Sequence, residues 1–224
     1  MQEFLPILTR CSLFDGIVPA DIPALLTCLG ADTVTAKKNT PVFCEGDPAK
    51  YMGIVLSGAV QVVRDDYCGN RSILSQASPG ELFGESFACA AVETLPVTVL
   101  ATEDCAVLRI DCRRLTRTCA HACDFHNRIV LNLLQAVAAK NLSFHKKLEI
   151  TARRTTREKL LAYLLWQAKL QDSASFTIPF DRQGLADYLA VERSAMSTEL
   201  GKLRRDGIID FDRSHFTLLT EVTV

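Results

Sequence analysis

The chain has 224 residues, 48% of them apolar, and a formal net charge of -1. That length and apolar share leave room for two domains with separate cores and exclude a disordered chain. No run approaches roughly eighteen uncharged apolar residues, and the start, MQEFLPILTR, lacks a basic region followed by an apolar stretch, so no membrane span or export signal is expected and the cytoplasm is the expected location.

Residues Phe4 to Cys28 predict one or two short helices. Leu5, Leu8, Phe14, Ile17, Ile22, Leu25, Leu26 and Leu29 are spaced for a lid packed on something larger. From Thr33 to Ile110 the pattern changes. Short Val- and Ile-rich runs end in Gly, Asp or Asn about every ten residues, which predicts an antiparallel barrel or jelly roll. Within it, PGELFGESFACAAVETLP predicts one helical turn over Ser86 to Ala91, preceded by the turn glycines Gly80 and Gly84. Exposed amides at the start of such a turn make a ligand pocket, with Phe83, Gly84, Glu85, Ser86, Leu95 and Val97 as its candidate lining. Glu85 and Ser86 acting only as caps is the alternative.

Asp124 to Phe144 predicts a long helix. Phe125, Ile129, Leu133, Ala136, Val137 and Lys140 fall along one stripe, and Leu131, Leu134 and Ala138 along the next. So broad an apolar surface suggests a helix pair at a two-fold axis, with Phe125, Ile129, Leu133 and Val137 as dimer contacts and Asn132 or Lys140 setting the register.

Thr155 to Leu170 predicts an amphipathic helix capped by Thr155 or Thr156, with Leu160, Leu161, Leu164, Leu165 and Trp166 inward. SASFTIPF predicts a strand. Asp181 is placed to cap a helix over Arg182 to Leu189, Ala190-Val191-Glu192 is a turn, and Arg193 to Arg205 is a second helix. Asp206-Gly207 ends it, and IIDFDRSHFTLL returns as a two-stranded wing. Helix, short turn, helix and wing is a DNA-reading arrangement. Arg193 and Ser194 are the candidates for base edges, Ser197 and Thr198 for bases or phosphates, and Arg182, Gln183 and Lys202 for the backbone. Charge agrees in sign: from Lys140 onward 14 basic residues face 11 acidic ones, and before it 11 face 15.

Nine cysteines, an odd number with no C-x-x-C pair, argue against a disulfide scaffold. Cys28, Cys89 and Cys105 sit in apolar company and are expected to be buried. Cys112, Cys119, His121, Cys123 and His126 crowd together, which leaves open a metal site, reactive thiols or plain packing. No nucleophile–base pair, metal-hydrolase motif or dinucleotide loop is present, so no enzyme is expected.

Taken together, VFCEGDPAKYMGIVLSGAVQVV, PGELFGE, the long helix and LADYLAVERSAMSTELGKLRRDGII resemble the cyclic-AMP receptor protein / fumarate–nitrate regulator (Crp/Fnr) superfamily over nearly the whole length. The resemblance implies an α+β chain: a jelly-roll effector barrel over residues 1–120, a dimerisation helix and hinge over 121–147, and a winged helix-turn-helix over 148–224. It implies a homodimeric transcription regulator on a palindromic double-stranded DNA site, with a small-molecule effector and RNA polymerase as further partners and no membrane. A sensor or interaction protein of this fold with vestigial DNA binding is the alternative. In cyclic-nucleotide binders of the family, an arginine of the cassette pairs with the phosphate. Leu95-Pro96-Val97 stand there instead, and Glu85 is left without its expected cation, which argues against a cyclic nucleotide. Cys11 and Cys28 do not reproduce the cysteine cluster of iron–sulfur members. No metal or cofactor is expected, with a haem or an iron–sulfur cluster, and His121 or His126 as ligands, held as the alternative. In the reading helix Arg193 matches the family pattern, while Ser194, Ala195 and Thr198 depart from it. Gly184 and Glu192 stand where better capping residues are frequent, which predicts a loose head.

Overall fold

The computed structural model describes residues 2–115 and 124–220. Cys119, His121 and Cys123 lie outside the described residues, as do the side chains of Phe125 and His126. The chain divides into two compact units, Met1–Asn141 and Leu142–Val224.

In the first unit two short helices, α1 (Leu5–Leu8) and α2 (Ile22–Cys28), precede eight strands. These are β1 (Asp32–Ala36), β2 (Pro41–Phe43), β3 (Tyr51–Ser57), β4 (Val60–Asp65), β5 (Arg71–Ala77), β6 (Leu82–Phe83), β7 (Thr98–Ala101) and β8 (Cys105–Asp111). The expected barrel is not closed. The strands form two separate four-stranded antiparallel sheets, β1-β8-β3-β6 and β2-β7-β4-β5. Strand spacing alone does not distinguish a closed barrel from two facing sheets, because both carry the same alternation of side chains.

Why YMGIVLS is apolar throughout follows from the sheet it joins. Met52, Ile54 and Leu56 of β3, with Ala106, Leu108 and Ile110 of β8, bury against α1, α2 and the long helix. Val55 and Val107 point the other way, into a cluster with Val60, Val62, Val99, Phe43 and Phe83. Both faces of this sheet are covered, so the usual apolar–polar alternation is absent. Gly53 interrupts the run for a steric reason: a Cβ there would lie 2.1 Å from the Phe83 ring.

After β6, Gly84 adopts a left-handed conformation (φ 76°) and starts the single-turn helix α3 (Glu85–Cys89). A second short helix, α4 (Cys112–Leu115), follows β8. The long helix α5 (Asp124–Thr151) continues past the expected end at Phe144. Ile129 and Leu133 are buried in the core beneath it, and Val137 packs against that core from the side. Ile129, Leu133 and Val137, three of the residues expected to meet a second copy, are therefore engaged with their own core. Val130, Leu131 and Leu134, on the neighbouring stripe, are exposed. Of the cysteines expected to be buried, Cys105 is, while Cys28 and Cys89 are exposed; Cys11 and Cys112 are buried instead.

The second unit holds α6 (Thr156–Leu170), β9 (Ser175–Thr177), α7 (Arg182–Leu189), α8 (Arg193–Arg205), β10 (Ile209–Asp212) and β11 (His215–Leu218). Thr155 caps α6 through a reciprocal box: its hydroxyl accepts from the Glu158 amide at 3.2 Å, and the Glu158 carboxylate accepts from the Thr155 amide at 3.1 Å. Leu160 and Leu164 are buried as expected. Leu161, Leu165 and Trp166 are half-buried, and Tyr163 takes the interior instead, packed on Tyr188 at 5.4 Å. The wing has three strands, in the order β10-β11-β9, because β9 adds to the expected hairpin.

Candidate effector pocket and DNA-reading face

The effector side is built on the turn from β6 into α3. Phe83, Leu95 and Val97 are buried together in the cluster between the sheets, with the Phe43 and Phe83 rings 5.5 Å apart. The backbone of Leu95 is held from both sides: its amide donates to Asp47 at 2.8 Å, and its carbonyl accepts from Gly46 at 2.9 Å. The Leu95 and Val97 side chains are apolar and enclosed.

Glu85 is 1% exposed, and burying a carboxylate demands compensation. The compensation comes from α5. Lys140 Nζ lies 2.9 Å from one carboxylate oxygen and 3.1 Å from the other, and it also donates to the Leu82 carbonyl. Glu85 therefore has a cationic partner, contrary to the sequence expectation; it comes from a distant helix and not from the cassette. The same contacts correct the register role expected of Lys140. Asn132 is likewise spent within its own chain: it is buried, and its amide donates to the carbonyls of Leu13 at 2.9 Å and Asp15 at 2.8 Å. Ser86 is half-buried. Among the described residues, no group of three or more His, Cys, Asp or Glu gathers as a metal set.

The DNA side is built on α7 and α8. Asp181 caps α7, accepting from the Gly184 amide at 2.7 Å. Ala190 turns the chain in a left-handed conformation (φ 52°). Glu192 precedes α8 and makes no side-chain cap bond, which matches the weak cap read from the sequence. Met196, Leu200 and Leu203 are buried, which leaves Arg193, Ser194, Ser197, Thr198 and Lys202 exposed on the other face.

Several of these groups already have partners. The Thr198 hydroxyl donates to the Ser194 carbonyl at 3.0 Å, Lys202 meets Glu199 at 2.5 Å, and Gln183 donates to Asp187 at 2.8 Å. Arg182 is placed differently from the expectation of a free phosphate contact. Its guanidinium lies over Phe211 at 4.7 Å and Phe216 at 5.3 Å, and burial, with the Arg204 charge behind it, lowers its pKa from the ordinary arginine value. It fastens α7 to the wing. Arg204 does the same from α8, bonding Asp210 and the Phe211 carbonyl. Arg213, exposed at the wing turn with φ 49°, was not singled out from the sequence; a basic residue in a hairpin turn was the available signal.

A model of the cyclic nucleotide-binding domain family matches residues 33–122, and one of the Crp-like helix-turn-helix domain matches residues 158–221. A CRP-like cAMP-activated global transcriptional regulator of Mycobacterium tuberculosis is 34% identical over 79 residues, 35% of this chain. The chain spans only about a third (34%) of that relative's length. The nitrogen fixation regulation protein FixK of Azorhizobium caulinodans is 24% identical over 209 residues, covering 91% of this chain and 79% of that protein. In fold, the chain is similar to the c-di-GMP responsive global regulator CLP of Xanthomonas campestris, with a TM-score of 0.74 and 20% identity over 91% of this chain and 100% of that one. The fold is that of a cyclic-nucleotide-binding-like sheet domain with long helices and a helix-turn-helix unit. The chain belongs to the Crp/Fnr superfamily of bacterial transcription regulators.

Proposed function

We propose that the chain is a homodimeric DNA-binding transcription regulator whose sheet domain senses a small molecule or redox signal other than a cyclic nucleotide. The observation that carries DNA reading is the division of α8: one face buried through Met196, Leu200 and Leu203, the other presenting Arg193, Ser194, Ser197 and Thr198. An arginine at the start of such a helix pairs with two acceptors on guanine, and the serines tolerate several bases. Lys202 and Arg213 are suited to phosphates, which position the protein on the duplex. Residues 1–120 act as the sensing domain, 121–147 as the dimer helix and hinge, and 148–224 as the DNA-reading head.

Two observations support an effector without a cyclic phosphate. Leu95 and Val97, which the sequence spacing assigns to the phosphate position, are buried among apolar side chains, and a phosphate beside them would lose its hydration without gaining a counter-charge. Lys140, which approaches the cassette, is engaged by Glu85. Dimerisation is assigned to the exposed stripe Val130, Leu131 and Leu134 in place of the inward one. The partners are a second copy, palindromic DNA, the effector and RNA polymerase, in the cytoplasm.

The test is selection of duplex DNA from a random pool by the purified chain. The expected product is a palindrome with half-site centres about one helical turn, roughly 10 bp, apart. No enrichment over repeated rounds, with and without reductant, overturns the reading. Calorimetric titration with cyclic AMP and cyclic GMP is expected to show no saturable heat.

A further inference from the structure

We propose that Arg109, with Tyr51 and Lys50 beside it, is the anion contact of the effector, and that the effector is a small carboxylate with an apolar body. The assignment deepens the sensing role proposed for residues 1–120 and rests on that reading. It starts from the register of the first sheet. Asp32, Arg109, Gly53 and Phe83 are successive cross-strand partners on β1, β8, β3 and β6. Direct partners in antiparallel strands point to one face, so these four positions form a row across the sheet. It is the face from which Val55, Phe83 and Val107 enter the apolar cluster between the sheets.

The row changes character along its length. Phe83 is 1% exposed, and its ring covers Gly53. At the other end the Arg109 side chain is 31% exposed and that of Asp32 is 49% exposed. An apolar interior end and a charged solvent end on one face suit a molecule with the same two ends. The Arg109 guanidinium lies over the Tyr51 ring at 4.6 Å, and Lys50 Nζ lies over the same ring at 4.8 Å. Tyr51 packs against the apolar cluster and stays partly exposed, so it joins the two ends. Asp111, the residue opposite Tyr51, accepts from the Arg113 amide at 3.0 Å and pairs with the Arg113 side chain. Among the described residues Asp32 is the carboxylate paired with Arg109, and none pairs with Lys50. Two cations thus share one ring and one carboxylate, which leaves a net positive charge at the solvent end.

Asp32 shows what the site grips. Nε and Nη2 of Arg109 donate to its two oxygens at 3.0 and 2.5 Å. A planar guanidinium fork of this kind matches a planar carboxylate, and the ring beneath it fixes the plane. The guanidinium also holds the Asp32 carboxyl below its ordinary value, so the fork favours the ionised form. Exposed ion pairs contribute little, so exchanging Asp32 for a ligand carboxylate costs about fivefold in affinity at most. Arg109 reaches this face from β8, outside the segment that runs from Leu82 to Val97. The apolar Leu95 and Val97 therefore do not leave the sheet domain without an anion contact.

The test follows the fluorine resonances of 4-fluorobenzoate and 8-fluorooctanoate titrated with the full-length chain. No DNA is present, so a failed DNA selection leaves this test standing, and its own failure leaves the DNA-reading head untouched. Saturable line broadening of at least one probe is expected, with none for the uncharged 4-fluorobenzyl alcohol. Asp32→Asn frees the fork and is expected to tighten probe binding about fivefold. Arg109→Gln is expected to weaken it about tenfold or more. Both variants delete the same ion pair, so a purely structural role would move them in the same direction. Three results overturn the proposal: no saturable broadening of either probe with the unsubstituted chain and Asp32→Asn, unchanged or weaker binding by Asp32→Asn, or full binding by Arg109→Gln. Displacement of the probes by inorganic phosphate at a lower concentration than by benzoate overturns the carboxylate class. Should Arg109→Gln fail to fold, the Asp32→Asn titration and the phosphate competition decide.

Discussion

Lys140→Met deletes the ammonium that faces the buried Glu85 carboxylate and keeps the aliphatic stem that packs beside it. Glu85 is 1% exposed and meets Lys140 at 2.9 and 3.1 Å. Removing one member of a buried pair costs about 3–5 kcal/mol, because the remaining charge is left in the interior without a counter-charge. The Lys140 side chain is 30% exposed, so water reaches the pair and the lower figure, about 3 kcal/mol, applies. That is roughly a hundredfold in the folding equilibrium of the N-terminal unit. Glu85→Gln alone leaves the partly exposed ammonium able to reach water and is expected to cost about 1 kcal/mol; the double variant, with both charges gone, is also expected to cost about 1 kcal/mol, so the coupling is about 3 kcal/mol. Urea unfolding followed by far-ultraviolet circular dichroism measures the three variants. Hydrogen exchange over residues 82–89 localises the effect, since Trp166 lies in the other unit and does not report on this site. A coupling below about 0.5 kcal/mol in the cycle refutes the ion pair as the tie between α3 and α5.

Arg193→Ala is expected to cost about 1–3 kcal/mol of discrimination between a selected site and a scrambled one, measured by fluorescence anisotropy at fixed salt; equal loss on both would assign Arg193 to phosphate contact instead. Gly53→Ala forces a Cβ toward Phe83, which is 1% exposed and has no room to swing away, so a loss of about 2 kcal/mol is expected despite the gain in backbone rigidity; an unchanged urea midpoint counts against the packing described. Leu134→Asp places a charge on the exposed stripe of α5 and is expected to shift sedimentation equilibrium toward the monomer, whereas an unaltered dimer would move the interface elsewhere. Lys147, over the Tyr188 ring at 4.3 Å, is lowered to about 8 by burial. Its folded value lies below its unfolded one, so its contribution to stability is full above the unfolded value near 10.4 and is lost as pH falls toward 8. The wild type is expected to gain stability relative to Lys147→Met between pH 8 and about 10.4, and parallel curves would rule out a buried ammonium.

The order of residues along the chain was enough wherever the deciding contact is a few residues away. The Thr155–Glu158 box, the Asp181 cap, the turn at Ala190 and the unassisted start of α8 after Glu192 all depend on hydrogen bonds within one helical turn. Strand positions were legible for a similar reason, since a hairpin is specified by its own turn residues. Which α5 stripe faces in was not legible. Ile129 with Leu133, and Leu131 with Leu134, are both apolar at helical spacing, so periodicity admits either rotation and only packing against β3, β8 and the N-terminal helices selects the first. The partner of Glu85 stands 55 positions away in the sequence. Such pairings are set by how the sheets and helices close in space, because a side chain's charge, exposure and reactivity depend on every atom that surrounds it and not only on those next to it in the chain.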